Sequence, residues 1–155
     1  FRSLFEASTE LGAILAQATD VQREQAAAFG RHIGTAFQLM DDLLDYTANA
    51  AQMGKNAGDD LREGKPTLPL IYLLENGTSA EQLLVRAAIE QNQDLPEDVF
   101  AQILSAVQNS GALDYTQAAA KREADLALEC IQDFPSNEAT IALRDLCVYS
   151  LARQT

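Results

Sequence analysis

Apolar positions along the first forty residues repeat with the period of a helix. Leu4, Leu11, Ile14, Leu15 and Ala18 recur on a 3.6-residue spacing, which predicts a buried or semi-buried helix from Leu4 through Ala18. Thr19 and Asp20 are capping residue types, and the same period resumes behind them, predicting a second helix from about Val21 through Tyr46. Gly30 and Gly34 fall inside it without breaking the pattern; glycines four residues apart let another helix approach closely. From Ala48 to Lys65 the chain changes to loop chemistry, gathering Asn49, Gly54, Asn56, Gly58, Asp59, Asp60 and Gly64 before Pro66. Such a connection is long for a helical bundle, and long loops in compact domains are often functional.

Helical periodicity then returns in shorter pieces. Pro69 opens one that Asn76 and Gly77 end, and Ser79 with Gln82 has the form of a capping box for a segment reaching Gln91. Pro96 opens the next, through Asn109; Gly111 interrupts; Ala112 to Asp133 is helical, and a last helix follows Pro135 and Ser136 through Leu151. No strand alternation, repeat or low-complexity tract interrupts this series. The expected fold class is all-α, with residues 1–155 forming a single all-helical unit. The composition agrees, being 47% apolar, with only 8 Gly and 4 Pro, most of them at predicted boundaries.

Charge narrows the function. The chain has 23 acidic against 11 basic residues, a net charge of −12, which repels nucleic-acid phosphates and anionic lipid surfaces. An acidic protein that handles an anionic substrate needs cations between carboxylate and phosphate. No apolar run nears the ~18 residues of a membrane span, and no signal-peptide pattern opens the chain, so a cytoplasmic location is expected. Cys130 and Cys147 lack metal-ligand spacing and are expected to be reduced thiols in helical pattern. His32 is assigned no role.

The acidic residues concentrate in TAFQLMDDLLDY, residues 35–46. At 100° per residue, Ile33, Ala36, Phe37, Met40, Leu43 and Leu44 group on one side, while Gln38, Asp41, Asp42 and Asp45 form a stripe beside them. Asp is a poor helix-interior residue, and like charges one turn apart destabilise a helix by a few tenths of a kcal/mol. Two explanations stand: a solvated acidic face, or a site for a hard divalent cation such as Mg²⁺, which takes one or two carboxylates together with substrate phosphates. The connection that follows carries Lys55 and Lys65, cations within reach of a diphosphate bridged to the same ions. Asp59, Asp60 and Glu63 are read as helix-capping groups or partners of Arg62, and Phe37 as a core aromatic at the border of the stripe.

FQLMDDLLDY followed by GKNAGDDLREGKPTLPL resembles, residue by residue, the second aspartate-rich motif and downstream lysine loop of the trans-isoprenyl diphosphate synthases. GTAFQ, DDLLDY and SLFEAS are closest to the bacterial long-chain branch, which includes octaprenyl diphosphate synthases that make quinone side chains. The resemblance is strong over the first half of the chain and rests on helical character beyond it. It implies an antiparallel helical bundle of the isoprenoid synthase type, of which this chain is the C-terminal portion. The implied activity is condensation of isopentenyl diphosphate with an allylic diphosphate such as farnesyl diphosphate, by an enzyme that is a homodimer at full length. By the same resemblance Asp41, Asp42 and Asp45 are Mg²⁺ ligands, directly or through water, Gln38 orients substrate, and Lys55 and Lys65 hold the diphosphate; no catalytic residue beyond these is expected. The first aspartate-rich motif of the family, its early Gly-Lys and Arg residues and the Lys-Thr pair before SLFEA have no counterpart here. The resemblance therefore implies half of the metal clamp and a chain inactive alone. A non-catalytic partner subunit, a terpene cyclase-like protein and a helical interaction module are the competing readings. Retained aspartates speak against the first, the lack of an Asn/Ser/Glu metal motif against the second, and the lysine loop against the third.

Overall fold

The computed structural model describes residues 2–47, 58–91 and 95–152. Every regular element among them is an α-helix: α1 (Arg2–Leu15), α2 (Asp20–Thr47), α3 (Asp59–Arg62), α4 (Leu68–Asn76), α5 (Ser79–Gln91), α6 (Glu97–Asn109), α7 (Ala112–Cys130) and α8 (Glu138–Ala152).

Local chemistry explains where these helices begin and end. The Thr19 amide donates to Gln22 Oε1 at 3.1 Å while the Gln22 amide donates to Thr19 Oγ1 at 3.3 Å, a reciprocal cap that starts α2. Ahead of it, α1 stops at Leu15 rather than Ala18, because Gln17 takes a left-handed conformation (φ 52°) and the Ala18 amide turns back to the Ala13 carbonyl at 3.0 Å. The cap of α5 lies one residue earlier than the sequence suggested. Thr78 and Glu81 form it, with the Thr78 amide donating to Glu81 Oε2 at 2.7 Å and the Glu81 amide to Thr78 Oγ1 at 3.3 Å. Ser79 is already helical, and Gln82 instead donates to the Gly77 carbonyl at 3.0 Å. Gly111, at φ 85°, separates α6 from α7.

The chain divides into two compact units. In the first, formed by residues 2–40 and 118–152, α1 crosses α2 almost backbone to backbone. A Cβ at Gly30 would lie 2.6 Å from the Phe5 carbonyl oxygen and 2.7 Å from Glu6 Cα, and one at Gly34 3.0 Å from Arg2 Cα. Arg31 Nη1 pairs with Glu6 Oε1 at 2.7 Å, and the Phe5 and Phe37 rings meet at 5.7 Å between centroids. The core of this unit is Phe29, Ile33, Ala127, Ile131 and Cys147. His32 Nδ1 lies 2.8 Å from Glu123 Oε2, tying α2 to α7. Of the two alternatives expected for α1, buried or semi-buried, the helix is the second: Phe5, Glu6, Thr9, Glu10 and Ala13 are half-buried and none is fully buried, while Leu11 and Leu15 are 55% and 76% exposed. The reason is that α1 meets α2 through its backbone at Phe5 and Glu6, which leaves its leucine side chains outside the contact.

The second unit comprises the described residues between 41 and 117. Here α4, α5 and α6 pack on one another, with α3 against α5. Tyr46, Leu61, Leu70, Leu73, Val85, Ile103 and Val107 form its core. The end of α2 thus enters this core through Tyr46, immediately beside the acidic stripe.

Candidate functional site

The stripe lies where the sequence places it. Ile33, Ala36 and Met40 are buried on one side of α2, while Asp41, Asp42 and Asp45 are half-buried on another and Gln38, one turn earlier, is exposed. Lys55 lies outside the described residues. Lys65 is brought back to the acidic region by α3.

That return is fixed at both ends. Asp45 Oδ1 accepts the Asp59 amide at 3.2 Å and Oδ2 the Asp60 amide at 3.1 Å, while the Gly58 amide donates to the Asp45 carbonyl at 2.8 Å. Farther along, the Leu68 amide faces the Asp42 carboxylate and favours its ionised form. Between the two, the buried Tyr46 hydroxyl lies 2.9 Å from Thr67 Oγ1, and Gln108 Nε2 donates to the Tyr46 carbonyl at 3.1 Å. The outer side of α3 is held by Arg62, whose guanidinium sits 3.8 Å over the Phe100 ring and reaches Glu97 at 3.1 Å. Gly58, at φ 84°, packs so closely on Phe100 that a Cβ there would lie 2.7 Å from the ring.

Of the two roles expected for Asp59, Asp60 and Glu63, capping the helix or pairing with Arg62, the second is not seen: Arg62 pairs with Glu97. Instead Lys65 Nζ takes Asp60 Oδ1 at 2.8 Å and Glu63 Oε2 at 2.6 Å, and these bonds hold its ammonium pKa above the ordinary lysine value. Burial, then the charge of Asp60, and lastly those of Asp41 and Asp45 push the Asp42 carboxyl up to about 6, against the opposing effect of the Leu68 amide. Asp45 is likewise raised, chiefly by burial, with its two amide bonds acting in the opposite direction. Among the described residues no group of three or more His, Cys, Asp or Glu is gathered tightly enough to hold a metal ion. Asp45 is turned to the α3 amides and Asp60 to Lys65. What the site provides is a concentration of hard oxygen donors under mutual repulsion, with a lysine tethered beside them. That donor set fits a divalent cation such as Mg²⁺ or Ca²⁺ and does not fit a soft metal.

Sequence reasoning did not single out Thr67, Arg62 with Phe100 and Glu97, or Gln108 as parts of this arrangement. Tyr46 alone had a signal, as an aromatic continuing the acidic motif.

The chain belongs to the polyprenyl synthetase family, whose pattern matches residues 2–107. It is 43% identical over 148 residues to the octaprenyl diphosphate synthase of Escherichia coli K12, covering 94% of this chain and 45% of that protein. Against the all-trans-nonaprenyl-diphosphate synthase (geranyl-diphosphate specific) of Rhodobacter capsulatus it is 43% identical over 150 residues, 97% of this chain and 45% of the relative. Among solved structures, the polyprenyl synthase of Caulobacter crescentus CB15, complexed with calcium and isoprenyl diphosphate, superposes with a TM-score of 0.85 at 37% identity. That match covers 98% of this chain and 46% of the other. The chain thus spans a little under half the length of these relatives.

Proposed function

We propose that the chain supplies the second aspartate-rich motif of a long-chain trans-polyprenyl diphosphate synthase, a transferase that condenses isopentenyl diphosphate with an allylic diphosphate such as farnesyl diphosphate. The observation that carries this reading is the convergence of Asp41, Asp42 and Asp45 on α2 with Lys65, docked on the same helix end through α3. In the reaction the allylic C–O bond breaks with its electron pair leaving on diphosphate. The isopentenyl double bond attacks the allylic carbon, and loss of a proton restores an alkene. Bound Mg²⁺ supplies positive charge that stabilises the departing diphosphate. Asp41 and Asp42 would hold the cation, directly or through water. Lys65 keeps Asp60 and exchanges Glu63 for a diphosphate oxygen, Lys55 adds a second cation, and exposed Gln38 orients substrate. The acidic pair that now neutralises Lys65 keeps its charge in place until an anion arrives.

Calcium and isoprenyl diphosphate in the Caulobacter relative support a divalent ion and a prenyl diphosphate as ligands. Similarity to octaprenyl diphosphate synthase supports an all-trans product of quinone side-chain length. The working enzyme, in this reading, is a cytoplasmic homodimer of the longer protein, and this chain alone is inactive.

The test is incorporation of radiolabelled isopentenyl diphosphate in the presence of farnesyl diphosphate and Mg²⁺. It compares this chain with a protein of the relatives' length that contains it. Turnover is expected only in the longer protein, and Asp41→Ala in that protein should lower it by on the order of 100-fold or more, as loss of a group acting on developing charge does. An undiminished rate in that variant would remove the assignment.

A further inference from the structure

A helix leaves its first amides without intrahelical partners, and those of a buried or half-buried helix need an acceptor from elsewhere. Helix α3 cannot supply one locally, since its preceding residue is Gly58, which has no side chain. The acceptor comes from thirteen residues earlier in the chain, counting from Gly58 to Asp45, which gives one carboxylate oxygen to each of the Asp59 and Asp60 amides. The next link is Asp60 itself, whose carboxylate holds Lys65 Nζ at 2.8 Å. Placement of Lys65 therefore runs through Asp45.

We infer that Asp45 is a positioning residue, whose carboxylate caps α3 and so sets where Lys65 stands relative to Asp41 and Asp42. This rests on the proposed function only for what Lys65 binds; the capping itself does not depend on it. Each Asp45 oxygen accepts one amide, so the carboxylate is oriented by α3 and its orientation needs no bound ion. On the far side of α3, Arg62 on Phe100 and Glu97 closes the clamp, so the short helix is seated from both faces. A carboxyamide is nearly isosteric with the carboxylate, and its single carbonyl oxygen can still accept an amide, whereas alanine accepts none.

The experiment compares Asp45→Asn, Asp45→Ala and Asp41→Asn in this chain, first without metal, by amide hydrogen exchange at Asp59 and Asp60. Asp45→Ala is expected to speed exchange at both amides by about tenfold or more, Asp45→Asn to preserve protection at one of them, and Asp41→Asn to leave both unchanged. Unchanged protection in Asp45→Ala overturns the inference, and so does equal loss in Asp41→Asn. Calorimetric titration with inorganic pyrophosphate in Mg²⁺ follows. Asp45→Asn should stay within about threefold of the parent, while Asp45→Ala and Lys65→Ala weaken binding alike and their double variant no further, as expected for residues acting through one contact. If Asp45→Asn abolishes binding as fully as Asp41→Asn, Asp45 is a ligand and the inference fails. If the parent chain itself does not bind pyrophosphate, the functional reading fails instead, and the metal-free exchange still decides the role of Asp45.

Discussion

Tyr46 shows how one side chain joins stability to the site. Its ring is fully buried in the core of the second unit, while its hydroxyl meets Thr67 Oγ1 at 2.9 Å, two residues beyond Lys65. Tyr46→Phe keeps the ring but leaves the buried Thr67 hydroxyl without that partner. The expected loss is about 1–3 kcal/mol, read as a lower midpoint in urea unfolding. Cys147 offers a second test at the same scale. Burial pushes its thiol from 9.0 up to about 11. The folded state therefore holds its proton where the unfolded chain has lost it. Stability from this group is complete below pH 9, falls as pH rises, and is gone above about 11. Denaturation midpoints should decline across that window, and Cys147→Ala should flatten the decline. At pH 8 the native thiol should resist iodoacetamide until the protein unfolds.

At the scale of elements, α2 is the most legible part of the chain. Its start at Thr19 and Asp20, its glycine pair and its acidic stripe follow from periodicity and residue type, because each is set within a few residues along one helix. The cap of α5 was displaced by one because Thr78 and Ser79 are chemically equivalent caps until the backbone selects one of them. The partner of Arg62 left no local trace: Glu97 and Phe100 lie 35 and 38 residues away and meet it only through packing of α3 on α6. Similarly, the bond of Asp45 to the α3 amides depends on a tertiary return that no spacing rule encodes. Gly30→Ala places a methyl group against the Phe5 carbonyl and Glu6 Cα, which are backbone atoms and cannot rotate aside. Helix α1 must shift, with an expected destabilisation of about 1–3 kcal/mol by calorimetry or denaturant titration.

For the whole molecule, the all-helical class was readable because the apolar pattern keeps one period throughout. The division into two compact units was not, since it falls within α2 and α7, where the sequence shows no break. Charge and surface also act at this scale. Leu4, Leu11, Ile14 and Leu15 of α1 stand in contact with water, on a chain whose net charge is −12. Each exposed leucine favours self-association, and the surplus of carboxylates opposes it through long-range repulsion. The colloidal stability of this chain is therefore electrostatic in origin: salt, by shortening the range of that repulsion, and acid, by discharging it, are both expected to drive it toward aggregation, acid also protonating the Asp45 carboxylate on which the α3 amides rest.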